Sequence, residues 1–349
     1  MSVRIGFIGA GGISRNHLSS LLAVEEAEVV ALCDLSEEMI AETRRVVNQE
    51  AEKEGLARRV EAAAYTDYRT MLRQERLDAV YICLPPFAHG APEEAVIEAG
   101  LPMLVEKPLA LDLGIAHRIL TDIRQKGLWA ASGYQLRYDS AVDRAREIIA
   151  GRTVGMVLGA RLGGPPAKAW YRFQDKSGGQ LIEMATHQID LLRHLVGEIR
   201  TVYAQADIRI NRTRVSPDYE IFDVNCMTMR FENGAVGNFA NGQIAEYGTP
   251  PEARGLHIFC DGLCVSYGRA VRILSDKGTE EIPTARNPLA LEDRAFVRAV
   301  AEGRPELIRS DYASGVRTLA VTIAGERSAR SGKPVDVTEL LAAEAPSAL

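Results

Sequence analysis

A glycine-rich turn directly after the first apolar segment constrains the fold of this chain more than any other feature. Residues 3–17 read VRIGFIGAGGISRNH, with Gly9, Gly11 and Ser14 at the spacing G-x-G-x-x-S. Glycines at these positions permit a tight turn and let the backbone approach a pyrophosphate, while the following helix supplies amide donors and a partial positive charge. The turn therefore predicts a strand–turn–helix unit that binds a dinucleotide. The residues predicted to line that site are Gly9, Gly11, Gly12, Ile13 and Ser14.

The first 135 residues alternate short apolar segments with helical patterns, which cover Glu37–Glu54, Ala91–Ala99 and Asp112–Lys126. Strands and helices in alternation are typical of a parallel sheet with helices on both faces. Strands buried on both faces are nearly continuous in apolar residues, as these segments are. We therefore predict a Rossmann-type α/β domain over residues 1–135. Its strand segments are VRIGFIG, EVVALCD, RVEAAAY, DAVYICLP, LPMLVEKP and LWAASGY.

Beyond residue 135 the apolar segments become longer, and several alternate apolar with polar residues. Asn233-Gly234 and Asp261-Gly262 each lie between two such segments and indicate hairpin turns, because these dipeptides tolerate positive φ angles. We therefore predict that residues 136–349 form an α+β domain with a large, mostly antiparallel open sheet. The final segments are helical in pattern, and the predicted division allows these C-terminal helices to pack back on the first domain.

The acidic residue at the end of the second strand indicates whether the cofactor is NAD or NADP. Asp34 closes EVVALCD, where a carboxylate reaches the ribose hydroxyls of the adenosine half. A 2′-phosphate would be repelled there, and Leu35 and Ser36 offer no cation to receive it. NAD is therefore favoured over NADP as the cofactor. The structural alternative is that Asp34 only caps the following helix, although Ser36 is also a good cap at that point.

The overall composition excludes several classes of partner. The chain has 349 residues, of which 46% are apolar and 25% charged, and its net charge is −6. This is the composition of a soluble globular protein, and a chain without basic excess is not drawn to nucleic acid or acidic lipid. No apolar run reaches the ~20 residues of a membrane span, and the five cysteines lack the spacing of metal ligands. We therefore expect a cytoplasmic protein with free thiols and no metal.

Two motifs follow the fourth and fifth strands, at the edge where ligands of an open parallel sheet bind. The two prolines of CLPPFAH make a rigid loop suited to line a cofactor ring. In VEKP, Pro108 keeps Lys107 extended at the strand end. For His89, a ligand contact and a polar start to the next helix remain equally open. The residues predicted to line the cofactor crevice here are Leu84, Pro85, Pro86, His89, Glu106 and Lys107.

The segment EMATHQIDLLRH is interpreted as one helix with a stripe of ionisable residues. Glu183, His187, Asp190 and His194 follow each other at spacings of four, three and four, which places them on one face. Oxidation of a secondary alcohol needs a base of near-neutral pKa, and histidine is the obvious candidate. His194 lies nearly two turns beyond His187 and is interpreted as structural. The apolar positions of the same segment, expected to face a core, are Ile182, Ala185, Ile189, Leu192 and Val196.

Four motifs in order resemble the Gfo/Idh/MocA family, which includes glucose–fructose oxidoreductase, inositol dehydrogenases and related sugar dehydrogenases. The likeness extends over nearly the whole chain and is specific for the family, though not for the substrate. The motifs are GFIGAGGISRNH, CLPPFAH (83–89), EKPLA (106–110) and GGQLIEMATHQIDLLRHLVG (178–197).

The resemblance implies roles for individual residues. Lys107 would precede a cis peptide to Pro108, contact both nicotinamide ribose and substrate, and stabilise a developing alkoxide. His187 would take the hydroxyl proton, with Asp190 as the partner that orients its imidazole. The family often has aspartate at the position of Glu183, so the contact of this longer side chain, with substrate or with His187, stays open.

Other polar and aromatic residues are candidates for substrate contacts. Tyr134 and Arg137 lie at the exit of the first domain and can hydrogen-bond a polyhydroxylated substrate. Trp170 and Tyr171 precede the catalytic segment, where an aromatic ring stacks on a sugar or cofactor or only fills a hinge. The residues predicted to be catalytic are Lys107, Glu183, His187 and Asp190. Those predicted to bind substrate are Lys107, Tyr134, Arg137, Trp170, Glu183 and His187.

These features predict an NAD-dependent dehydrogenase that acts on a CH–OH group of a sugar, inositol or sugar derivative. One alternative in the same fold is redox-assisted lysis of a sugar substrate by permanently bound NAD. A second, from another class, is a non-catalytic regulator that senses NAD or a sugar, which the presence of Lys107 and His187 disfavours. An open sheet with helices on one face leaves the other face to be buried, so we also expect a homodimer or homotetramer formed through that sheet.

Overall fold

The computed structural model describes residues 2–250 and 254–344, which form two compact units. The first unit contains the described residues up to 109, together with 115–138 and 287–315. The second contains the described residues of 110–114, of 139–286 and from 316 onward. Each unit is thus built from separate stretches of the chain. The domain boundary at residue 135 stays a prediction.

The first unit has a six-stranded parallel sheet in the order β3-β2-β1-β4-β5-β6. The predicted apolar segments supply its strands, and five of the six residues of the first strand are buried. The strand order reverses between the first and fourth strands, where an open parallel sheet binds its ligand. The strands are β1 (Val3–Ile8), β2 (Ala27–Cys33), β3 (Ala63–Tyr65), β4 (Ala79–Ile82), β5 (Met103–Val105) and β6 (Ala130–Ser132).

Five helices of this unit come from the first 125 residues and one comes from a much later part of the chain. The predicted helical patterns are confirmed to within two residues at each end. A late helix, α11, joins the core through Phe296, whose ring meets Tyr81 edge-on at 5.2 Å, while Phe7 stacks on Tyr81 at 4.7 Å. The helices are α1 (Gly12–Leu21), α2 (Glu37–Lys53), α3 (Tyr68–Gln74), α4 (Ala91–Glu98), α5 (Leu113–Gln125) and α11 (Pro288–Glu302).

The second unit has a nine-stranded sheet in the order β14-β13-β12-β11-β7-β10-β9-β8-β15. All its pairings are antiparallel except that of β10 with β7. The strands are β7 (Val154–Leu162), β8 (Ile199–Asp207), β9 (Val224–Phe231), β10 (Val236–Gly242), β11 (Gly255–Cys260), β12 (Leu263–Tyr267), β13 (Ala270–Ser275), β14 (Gly278–Pro283) and β15 (Val335–Asp336).

The two dipeptides that indicated hairpins lie at hairpin turns. Asn233-Gly234 joins β9 to β10, and Asp261-Gly262 joins β11 to β12. Gly234 has φ +90° and Gly262 has φ +75°, a region that glycine enters without a Cβ penalty. Both hairpin predictions are confirmed.

Helices of the second unit cover one face of the large sheet. The residues of β7 alternate along its middle, so that Val157 faces the buried side while Met156 and Leu158 are each 41% exposed. The helices are α6 (Ser140–Ile149), α7 (Gln174–Ser177), α8 (Gln180–Glu183), α9 (Thr186–Val196), α10 (Asn211–Arg214), α12 (Tyr312–Ser331), which begins in the first unit, and α13 (Val337–Ala343).

The predicted fold class is confirmed: a Rossmann-type parallel sheet is followed by a second domain with a large, mostly antiparallel sheet. In residues 2–250 and 254–344, no helix combines the length and the apolar character needed to cross a membrane.

Candidate functional site: a dinucleotide loop and two clusters of ionisable residues

The glycine turn after β1 is held close to the end of β4. Gly9 has φ +97°, and a Cβ at this position would lie 2.4 Å from the carbonyl oxygen of Cys83. Such an approach is possible only for a residue without a side chain. Ser14, in the place of the usual third glycine, is buried and donates its hydroxyl to the Gly9 carbonyl at 2.7 Å. The hydroxyl thereby ties the first turn of α1 back to the loop.

The N-terminus of α1 has the properties of an anion site. Gly11 is its N-cap, no described side chain caps it, and its first turn contains no acidic residue. A Cβ on Gly11 would meet nothing within 4 Å, so the space in front of the helix is open. Uncapped amides and the helix dipole favour a phosphate at such a position. Gly9, Gly11, Gly12, Ile13 and Ser14 therefore fit the pyrophosphate of a dinucleotide.

Asp34 lies beside this loop at the end of β2. Its Oδ2 accepts the amide of Ala10 at 2.8 Å, and its Oδ1 accepts the amide of Ser36 at 3.1 Å. The N-cap of α2 is Ser36, whose hydroxyl accepts the amide of Met39 at 3.1 Å. Asp34 is therefore not the cap of this helix. Its carboxylate holds the glycine loop and remains partly exposed, as a ribose-binding acid requires.

The loop after β4 is rigid and internally bonded. Pro86 begins a 3₁₀ turn, and Leu84 and Pro85 precede it. The His89 ring bonds Glu93 Oε1 through Nδ1 at 2.5 Å and the Leu84 carbonyl through Nε2 at 3.2 Å. His89 thus stabilises the start of α4, and its contact with a cofactor stays a prediction.

Glu106 and Lys107 lie at the carboxyl end of β5, as the motif VEKP predicts. The Lys107–Pro108 peptide is cis, as the family resemblance implies. Glu106 is 3% exposed, and its Oε2 accepts the backbone amide of Lys107 at 3.0 Å. The carboxylate thus fixes the backbone from which the lysine side chain projects.

Sequence reasoning missed a histidine that bonds Glu106. His17 on α1 is fully buried, with Nε2 3.1 Å from Glu106 Oε1 and Nδ1 2.6 Å from Asp293 Oδ1. A signal was present, because His17 follows Ser14 by one helical turn on a face that packs inward. Its partner on α11 lies 276 residues further along the chain, so the pairing itself had no sequence signal.

Tyr134 and Arg137, predicted to bind substrate, are both buried in the first unit. Tyr134 is 0% exposed and Arg137 is 6% exposed. Arg137 donates through Nη1 to the carbonyl of Arg309 at 3.2 Å, and Arg309 donates back to the carbonyl of Arg137 at 3.0 Å. These bonds hold residues 287–315 in the first unit. A contact of either side chain with substrate stays a prediction.

The interpretation of EMATHQIDLLRH as one helix is wrong. The short helix α8 ends at Glu183, and α9 begins at Thr186. The amides of Met184 and Ala185 both bond the carbonyl of Gln180, which closes α8. Glu183 is therefore not in one helical register with His187. The break has no glycine or proline to indicate it, but the apolar positions Ile182, Ala185, Ile189, Leu192 and Val196 are all buried, as expected.

Glu183 has a partner that precedes it in the chain. Tyr171 donates its hydroxyl to Glu183 Oε1 at 3.0 Å, and the Tyr171 ring stacks on Trp170 with centroids 4.0 Å apart. Arg161 on β7 is a further charged neighbour that sequence reasoning missed. Burial lowers the pKa of Arg161, while the charges of Tyr171 and Glu183 oppose that shift. The structure thus brings Trp170, Tyr171, Glu183 and Arg161 together in the second unit.

His187 and Asp190 remain in one helix, α9, at a spacing of three that makes them neighbours on its surface. Asp190 is 1% exposed, and its Oδ1 accepts the hydroxyl of Thr318 at 2.8 Å and lies 3.9 Å from Arg193 Nη1. The carboxylate is thus held in place by α12. Orientation of the His187 ring by Asp190 stays a prediction.

Comparison with known proteins identifies the family. The description "Oxidoreductase family, NAD-binding Rossmann fold" matches residues 3–134, and the "GFO/IDH/MocA C-terminal domain" matches residues 142–265. The chain belongs to the Gfo/Idh/MocA family. It is therefore an NAD-dependent oxidoreductase, and the predictions of the family and of NAD as cofactor are confirmed.

Individual Gfo/Idh/MocA proteins resemble the chain over nearly its whole length. Myo-inositol 2-dehydrogenase of Thermotoga maritima is 24% identical, over 97% of this chain and 100% of that protein. The scyllo-inositol 2-dehydrogenase (NAD(+)) of Bacillus subtilis is 26% identical over 96% of both. The WlbA dehydrogenase from Bordetella pertussis, solved with NADH and UDP-GlcNAcA, superposes with a TM-score of 0.76 at 23% identity, over 96% of this chain and 99% of that one.

Proposed function

We propose that this Gfo/Idh/MocA protein is a dehydrogenase that oxidises a secondary alcohol of an inositol, sugar or sugar derivative. The substrate carbon loses a hydride and its hydroxyl loses a proton, so that a ketone is formed. Bound NAD supplies the hydride acceptor. The relatives of similar length that are named inositol dehydrogenases support this substrate class.

The observation that carries the proposal is the fixed position of Lys107 at the carboxyl end of β5. Its backbone is bonded to the buried Glu106 carboxylate, at the sheet edge where the glycine loop of β1 also lies. An ammonium group held at this edge stabilises the alkoxide that forms as the hydroxyl proton leaves. We assign that role to Lys107.

The base in this proposal is His187, at the start of α9. Its imidazole takes the hydroxyl proton, and Asp190, which lies one turn further along α9 and accepts the Thr318 hydroxyl, would orient the ring. The Tyr171–Glu183 pair, with the adjoining Trp170 ring, would bind the remaining hydroxyls of the substrate. Tyr171 fixes one oxygen of the Glu183 carboxylate, so this longer side chain is held in one position.

The test is a panel of inositols and sugars with NAD, in which the formation of NADH is followed by absorbance. We expect turnover by the wild type and a loss of about a hundredfold or more in kcat for Lys107→Ala and for His187→Asn. The matched control is His194→Asn, on the same helix, which should keep the wild-type rate. Equal rates for Lys107→Ala and the wild type would refute the proposed role. Release of a cleaved sugar without NADH would instead support redox-assisted lysis.

A further inference from the structure

Three ionisable side chains are buried together in the first unit, next to the carboxyl end of β5. His17 on α1 and Asp293 on α11 are each 0% exposed, and Glu106 after β5 is 3% exposed. The imidazole lies between the two carboxylates, at 2.6 Å from Asp293 through Nδ1 and at 3.1 Å from Glu106 through Nε2. The proposed chemistry of Lys107 and His187 uses Glu106 only to fix the Lys107 backbone, and it uses neither His17 nor Asp293.

The cluster requires a particular protonation state. A neutral imidazole donates one hydrogen bond, whereas two carboxylate acceptors face this ring. Burial lowers the pKa of His17, but the charges and hydrogen bonds of Asp293 and Glu106 outweigh it and hold that pKa well above its ordinary value. His17 is therefore held as an imidazolium between the side chains of Asp293 and Glu106.

Other groups that face His17 do not compete for this charge. On β4 and just after it, Tyr81 lies edge-on to the ring at 5.2 Å, and burial raises the pKa of Cys83 to about 12. Burial also raises the pKa of Tyr81 well above its usual value, so both groups are neutral near physiological pH. The charge of Glu292, next to Asp293, also raises the pKa of Tyr81. On α1 itself, Ser14 bonds the Gly9 carbonyl.

Glu106 connects this cluster to Lys107. Its Oε1 faces His17 and its Oε2 accepts the Lys107 amide, so the carboxylate cannot turn without breaking one of the two bonds. Gly133 packs against the same group, since a Cβ there would lie 2.9 Å from the carboxyl carbon. The carboxylate that accepts the Lys107 amide is thus also bonded to a side chain on α1, the helix that follows the dinucleotide loop.

We infer that His17 is a positioning residue that acts through Glu106 to hold Lys107 in its working position. Asp293 holds the imidazolium in turn, so residues 287–315 contribute to the site without touching substrate. The effect on catalysis rests on the role proposed above for Lys107, whereas the effect on the Lys107 backbone does not. Loss of the cation would remove the positive charge that lies between the two buried carboxyl groups and would favour protonation of one of them.

The first test measures the backbone directly and needs no substrate. Hydrogen exchange of the Lys107 amide should become about tenfold faster or more in His17→Gln, because a protonated Glu106 is a weaker acceptor. The double variant His17→Gln/Asp293→Asn removes the excess negative charge and should recover most of the protection. The matched control is Ile119→Ala, a fully buried position on α5, which loses packing but should leave this amide unchanged.

The second test measures the protonation state of the His17 ring. In nitrogen NMR of the six histidines, the His17 ring should have both nitrogens protonated at about pH 8, above the ordinary range for histidine. That signal should be absent in His17→Gln and present in Ile119→Ala. A His17 ring that is neutral at that pH, or an unchanged Lys107 amide in His17→Gln, would overturn the inference.

The third test separates this inference from the proposed function. With the best substrate of the panel, the acid limb of the pH profile of kcat should move upward by about one pH unit in His17→Gln. Ile119→Ala should keep the wild-type profile. If Lys107→Ala is inactive while His17→Gln keeps the wild-type profile and amide protection, the positioning role fails alone. If Lys107→Ala is active, the proposed function fails, and the amide and NMR results still decide the positioning of the backbone.

Discussion

At the scale of single residues, Gly9 shows how closely the dinucleotide loop is fitted to its neighbour strand. Gly9 has a φ of +97°, and a Cβ added to it would lie 2.4 Å from the Cys83 carbonyl oxygen, so there is no room for a methyl group. Gly9→Ala should lower the free energy of unfolding by about 2 kcal/mol or more, from the unfavourable φ and the collision with the backbone. NAD affinity, measured by calorimetry, should fall with it because the loop must move.

Gly100 provides the control for this substitution. It also has a positive φ, +73°, but a Cβ there would meet nothing within 4 Å. Gly100→Ala should therefore show only the conformational cost, about 1 kcal/mol, and unchanged NAD affinity. Equal urea-unfolding curves for the two variants would show that the contact with Cys83 is unimportant.

At the scale of elements, Asp34 and Ser36 have different roles at the start of α2. The Ser36 hydroxyl caps the helix, whereas the Asp34 carboxylate bonds the amide of Ala10 in the glycine loop. Ser36→Ala should lower the free energy of unfolding by about 1 kcal/mol and leave cofactor preference unchanged. Asp34→Ala should lower the ratio of kcat/KM for NAD to that for NADP by about tenfold or more, because the repulsion of a 2′-phosphate is lost.

Steady-state kinetics with both dinucleotides and urea unfolding check this division on the same two variants. A change of cofactor preference in Ser36→Ala, with none in Asp34→Ala, would contradict the assignment of the ribose contact to Asp34.

At the scale of the whole molecule, the open face of the large sheet is the surface to which we assign self-association. Met156, Leu158, Val236, Phe259 and Leu274 are between 37% and 44% exposed. The residues of β7, β8, β9 and β10 on this face line a shallow apolar groove. Apolar surface of this kind marks an interaction site, and association of identical subunits is the common way to cover it.

We therefore expect the protein to sediment as a dimer or tetramer of 38.1 kDa chains at micromolar concentration. Leu158→Glu places a carboxylate in the centre of that face and should weaken association by about a hundredfold or more. Val215→Glu is the control, at an equally exposed apolar residue (40%) outside the sheet. A wild type that sediments as a monomer, or Leu158→Glu that assembles normally, would contradict the expectation.

The sequence alone determined those parts of the protein in which structure follows from neighbours along the chain. φ preference and apolar periodicity are local properties. They predict the turn at Gly9, the six strands of the first sheet and the hairpin at Asn233-Gly234, and they place Asp34 at the end of the second strand. The resemblance to the family came from the glycine turn together with CLPPFAH, EKPLA and GGQLIEMATHQIDLLRHLVG, and Asp34 favoured NAD. The interpretation failed between Glu183 and Thr186, where a helix ends without a glycine or proline to indicate it.

Only the tertiary structure decided which distant residues meet. Asp293 lies 276 residues from His17, and no periodicity links α11 to the helix that carries the dinucleotide loop. Likewise, the partner of Arg137 is a backbone carbonyl at Arg309, and that of Asp190 is a hydroxyl at Thr318. Buried charges and polar groups are stable only when partners surround them, and those partners are chosen by how the elements pack in space, which the local pattern of residues does not encode.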